Sequence, residues 1–177
     1  MKNNCSNAST WMPQRLIKAA FGAIFASVWL LAAPSAAHHG WGFYNTDAPL
    51  LFSGKLVEVN YTNPHPEVTI EVIEGTVFDP SSLPVPEELA ALGFAEVVAK
   101  AEVAPAGQWT LDLAPISRLN RWGMPRAPQV GDTLQAVAFP SCEEPNVARP
   151  NLIVLDGVGV RQQSVALPAG CSGEPRG

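Results

Sequence analysis

Positive charge is scarce in this chain and nowhere concentrated. Eleven Lys and Arg stand against 16 Asp and Glu, and no stretch gathers the basic residues into the stripe that binding a phosphate backbone requires. Nucleic acid is therefore not an expected partner. The phosphate-cradling motifs are missing as well, with neither a Walker sequence nor a GxGxxG. A serine or cysteine nucleophile would need a histidine base and an orienting acid, yet there is no Gly-x-Ser-x-Gly elbow. Long apolar runs are confined to the first 37 residues; after that, charge or proline interrupts every run within a few positions, so no later segment reads as a membrane span.

What is present begins with an export signal. Lys2, Arg15 and Lys18 precede an apolar run over 19–33, followed by Pro34-Ser35-Ala36-Ala37, the order of a Sec-type signal peptide. The run holds 15 residues where a bilayer-crossing helix needs about 20. Ser35 and Ala37 suit the −3 and −1 positions of a signal peptidase, so cleavage is expected after Ala37 and the product is expected in the periplasm or medium. The rival reading is a retained anchor, favoured by the long n-region and by Pro34 close to the cut. Removing residues 1–37 leaves 140 residues, enough for one domain with a single core. The removed segment carries three of the 11 basic residues and none of the acidic ones, which brings the formal charge to −8. Such acidity favours solubility and attracts cations.

Cys5 leaves with the signal, and Cys142 and Cys171 remain as an even pair for an oxidising compartment, where a disulfide is the expected state. It would close a loop of about 30 residues and contribute on the order of 3 kcal/mol. A pair of copper or zinc thiolates is the competing use, disfavoured by the absence of a short CxxC-type spacing.

Strands are expected over 51–60, around Gly54, and over 67–73, where apolar and polar residues alternate cleanly. Between them lies Asn63-Pro64-His65-Pro66, in which Pro66 drives His65 toward extended geometry on a stiff corner. Residues 75–106 break the rhythm and read as an insertion. Within it, 87–100 is expected to be helical after Pro86, although Gly93 weakens the middle and Val97-Val98 would suit a strand equally well. A third strand is expected over 108–113, a short helix over 115–123, a fourth strand over 133–139 and a last one over 152–155. A turn at Asp156-Gly157 then leads into a short continuation to Arg161. Five strands with a helix between the third and fourth is the order of an OB-fold-like barrel, an all-β class. The domain is expected over 38–167, followed by a Gly/Pro-rich C-terminal tail over 168–177 that is frayed beyond Cys171.

Two of the three histidines, His38 and His39, would stand at the new N-terminus. A chain that begins with histidine offers an α-amine and an imidazole on one residue, and a second imidazole completes a T-shaped set of three nitrogens. Such donors suit Cu(II). His65 is the expected second ligand, with His39 as substitute or helper. The competing reading is a disordered polar start and a His65 bonded to backbone in its proline corner. Trp41 and Tyr44 are candidates for packing beside such a site. Arg118 and Arg121, three apart on the short helix, form a candidate ligand face that also reads as a solvated one. The acid pairs Glu87-Glu88 and Glu143-Glu144 read as solvated surface.

Several short motifs together resemble a family of small secreted bacterial proteins of unknown function whose mature chains begin with His-His and carry Thr-Asn-Pro-His. They are His38-His39-Gly40, Phe52-Ser53-Gly54-Lys55-Leu56-Val57, Thr62-Asn63-Pro64-His65, Trp109-Thr110-Leu111-Asp112-Leu113, Ser117-Arg118-Leu119 with Trp122-Gly123, Gly131-Asp132 and Leu155-Asp156-Gly157. The resemblance spans most of 38–157 and implies fold and export, not activity. The chain departs from the family pattern in its long 75–106 insertion and in Ser141-Cys142-Glu143-Glu144. The expectation is an exported, non-enzymatic binding protein with a copper site at His38, His39 and His65. A copper-dependent redox enzyme and a metal-free module for peptide, glycan or protein partners are the alternatives.

Overall fold

The computed structural model describes residues 40–75 and 78–171. Its frame is one long strand, β1 (Leu50–Asn60), which is too curved to belong to a single flat sheet. Its first half pairs antiparallel with β5 (Thr133–Pro140) and its second half with β2 (Glu67–Val72). Gly54 takes part in both pairings, opposite Val72 and Leu134. Only glycine fits there, because a Cβ on Gly54 would run into the Glu71 carbonyl oxygen. A register shift between Leu56 and Glu58 adds a second bend.

The sheet then closes on itself. β2 pairs antiparallel with β4 (Gly107–Asp112), β4 runs parallel to β6 (Val147–Leu155), and β6 returns antiparallel to β5, giving a five-stranded closed barrel in the order β1-β2-β4-β6-β5. Alternation fills it. Phe52, Ile70, Leu111, Ala136, Ile153 and Leu155 point inward and are fully or almost fully buried, with Trp109 edge-on to Phe52 at 5.4 Å. The expected small all-β barrel is therefore the observed one. The helix α3 (Ile116–Arg121) stands between β4 and β5 as expected and stoppers the core with Leu119.

The strand expected over 152–155 begins five residues earlier, at Val147, and the expected continuation is a separate strand, β7 (Val158–Arg161), folded back on β6. The earlier start escapes sequence reading because Pro150 lacks an N–H. It is tolerated at a register shift, where Ala138 faces Pro150 and Val137 faces Leu152, leaving Asn151 as the extra, bulged residue.

The insertion is a second layer, not a decoration. The expected single helix over 87–100 is divided at Gly93, which adopts φ 83°, into α1 (Glu87–Ala90) and α2 (Phe94–Lys100), and Val97-Val98 are helical. Leu83, Leu89 and Phe94 bury themselves on the outer barrel face against Leu51, Val137, Leu152 and Val154. Each such burial is worth about 2 kcal/mol. The insertion ends in β3 (Glu102–Val103), a short parallel partner of β1.

Candidate functional site

The segment preceding β1 is clamped to the barrel wall. Trp41–Phe43 form one 3-10 turn, Tyr44 bridges to Ser141, and the Asn45 N–H donates to the Pro140 carbonyl at 2.8 Å. The Cys142 N–H donates to the Phe43 carbonyl at 3.0 Å. The expected disulfide joins Cys142 to Cys171, with 5.9 Å between Cα atoms, so the C-terminal tail is tied to the same place. Thr46 Oγ1 strengthens the tie by donating to the Pro168 carbonyl at 2.6 Å.

Side chains complete the clamp. The Trp41 ring meets Phe139 and Tyr44 edge-on, at 6.0 and 6.5 Å between centroids. The Arg149 guanidinium lies 5.0 Å from the Trp41 centroid and 5.7 Å from that of Tyr44. Both polar groups converge on one carboxylate: Tyr44 Oη donates to Asp112 Oδ2 at 2.9 Å, and Arg149 Nη1 lies 3.3 Å from the same oxygen. Burial, reinforced by the charge of Asp112 and the hydrogen bond to it, holds the Tyr44 phenol well above its ordinary value near 10. Tyr44 stays a neutral donor in this arrangement.

Asp112 is where this clamp meets the histidine corner. It faces Glu67 in the β2–β4 ladder, and the next residue, Leu113, donates its N–H to the Pro66 carbonyl at 2.9 Å. Pro66 is buried while His65 is exposed, and Asn63–Pro64 is a cis peptide bond. Thr62 Oγ1 donates to Asn60 Oδ1 at 2.8 Å where the chain leaves β1. The corner is thus pinned through a buried proline, with its imidazole outward.

Of the residues singled out from the sequence, His38 and His39 lie outside the described residues. Trp41 and Tyr44 come together in the wall, with Tyr44 buried and its hydroxyl bonded to Asp112. Arg118 and Arg121 stand exposed on α3. Among the described residues, no group of three or more His, Cys, Asp or Glu is arranged to hold a metal ion, and no helix is long and apolar enough to cross a membrane.

Sequence reading missed Asp112 and Arg149. The signal for Asp112 was a lone acid on the outward phase of a strand whose inward phase is Trp109, Leu111 and Leu113. Arg149 lies in the part of β6 that precedes the strand start expected at 152. A third pairing also went unread. Arg126 grips Asp132 with Nη1 and Nη2 at 2.6 and 3.0 Å, and Asp156 with Nε and Nη2 at 2.7 and 2.9 Å, joining two turns 24 residues apart.

Compared with protein-family models, with curated proteins and with solved structures, the chain matches none.

Proposed function

We propose that this protein is an exported OB-type barrel that binds copper without catalysing a reaction. The donors are the α-amine and imidazole of His38 and the imidazole of His65, with His39 beside them, in a chain cut after Ala37. One observation carries this reading. The segment beginning at Gly40 and the His65 corner are both fastened to the C-terminal end of β4, the first through Tyr44 to Asp112 and the second through Pro66 to Leu113. His38 precedes Gly40 by only two residues in the sequence. The donor set is chemically apt, since amine and imidazole nitrogens favour Cu(II) over other divalent first-row ions. Trp41, stacked under Arg149, gives the segment a fixed root.

The test has two parts. Intact mass and N-terminal sequencing of the exported protein establish whether it starts at His38. Calorimetric titration with Cu(II) then compares this protein with a His38→Ala, His65→Ala double variant, and affinity at least a hundredfold weaker in the variant is expected. Equal affinity in the two proteins would remove the proposal.

A further inference from the structure

Beneath the insertion, away from the histidine corner, lies a cavity of about 210 Å³ between α2, the segment at Thr46 and Pro49, and the chain after β7. Two of its lining residues are buried amides that leave hydrogen-bonding atoms without a partner. Asn151 is wholly buried with both Nδ2 and Oδ1 unpaired, and Gln163, 4 % exposed, leaves Oε1 unpaired. Gln163 Nε2 is already used, donating to the Val165 carbonyl at 3.3 Å, which fixes which end of that amide is open. The neighbouring Gln162 is a useful contrast. It is equally buried, but its Oε1 accepts from the Ala114 N–H at 2.9 Å and its Nε2 reaches the Val160 carbonyl, so it serves the fold. A buried polar group left unpaired costs about 1 to 3 kcal/mol, and folded proteins rarely tolerate three such atoms at one place without a use for them.

Backbone geometry points the same way. Asn151 is the bulged residue of β6, and its carbonyl is held by the Gln162 N–H at 2.8 Å. A bulge redirects a side chain that regular pairing would send elsewhere. Apolar walls from Leu92, Phe94, Val97 and Leu167 surround the amides, and Glu96 and Lys100 stand at the rim, one helical turn apart on α2. The volume is that of about seven waters in the liquid, room enough for a small polar molecule with a short apolar body.

We infer that this cavity is a ligand site for a small amide or α-amino acid, a molecule carrying an acceptor oxygen and N–H donors on neighbouring atoms beside a short apolar body. Its oxygen accepts from Asn151 Nδ2, and its N–H groups donate to Asn151 Oδ1 and Gln163 Oε1. Glu96 and Lys100 complement a zwitterion at the entrance, whereas a neutral amide needs only the buried pair.

The test titrates the ¹⁵N-labelled exported protein with acetamide, L-alaninamide and L-glutamine, following the backbone amide resonances of Gly93, Phe94 and Leu167 in the cavity lining. A saturable shift is expected with at least one probe, weakened at least tenfold in Asn151→Leu and in Gln163→Leu. Asn151→Leu is also expected to melt no lower than the parent, because it removes unpaired polar atoms from a buried place. Preference for L-glutamine over acetamide, abolished by Lys100→Ala, would assign the amino-acid class, and the reverse order the neutral amide. No saturable shift with any probe, as a cavity holding resident water alone would give, overturns the inference, as does undiminished binding in Asn151→Leu. None of these readouts depends on copper or on where the signal is cut.

Discussion

Asp112 shows how much one carboxylate does in this molecule. It accepts from Tyr44 and pairs with Arg149 in a mostly buried place, so removing it takes an acceptor from the hydroxyl and a counter-charge from the guanidinium at once. Asp112→Ala is expected to cost about 3 kcal/mol in urea unfolding, most of it from the partners left behind. Tyr44 makes the same cluster sensitive to alkali. Its folded-state ionisation lies above the unfolded value near 10, so its contribution to stability is complete below that pH and is lost as pH rises beyond it. Absorbance titration should show the phenol resisting ionisation until the protein unfolds, and Tyr44→Phe should flatten the alkaline branch of the stability curve. Asp132 has the opposite sign. The Arg126 guanidinium, helped by the Gln129 N–H, holds its carboxyl below the usual range, so that contribution is present above about pH 3.9 and lost as pH falls through the folded value. Asp132→Asn should flatten the acid branch in the same assay, and Arg126→Lys should resemble it because an ammonium cannot fork to two carboxylates.

Among the secondary-structure elements, glycines decide where strands bend and layers meet. Gly54 lets β1 serve two neighbours at once, and Gly159 in β7 lies so close to the Pro84 carbonyl that a Cβ would collide with it. The two substitutions should therefore fail differently. Gly54→Ala is expected to open the β1–β2 seam and destabilise the whole barrel by more than about 2 kcal/mol, read as a lower denaturation midpoint. Gly159→Ala should lift the insertion locally, seen as faster amide exchange in α1 and α2 while the barrel strands stay protected. The strands with clean alternation, β2 and β4, were legible because one face meets the core and the other solvent. The start of β6 was not, since Pro150 and the Asn151 bulge interrupt its period, and the extra residue has meaning only opposite β5.

As one body, the domain is tied at its ends. The Cys142–Cys171 bond, Thr46 on Pro168 and the Tyr44–Ser141 bridge gather both ends of the described chain at one edge of the barrel. Reduction, or Cys142→Ser with Cys171→Ser, is expected to lower stability by about 3 kcal/mol in denaturant unfolding, since the closed loop has a sequence separation of 29. Composition, charge and local periodicity were enough for the all-β class, the five principal strands, the helix before β5 and the cysteine pair, because these rest on residue chemistry and on patterns within a few positions. The His65 corner was visible for the same reason: prolines act on their immediate neighbours. The Asp112–Tyr44–Arg149 cluster, the Arg126 clamp and the Asn151 cavity were decided by tertiary structure alone. Tyr44 and Asp112 are 68 residues apart, and what pairs or strands a polar group is set by which strands the closed barrel brings side by side.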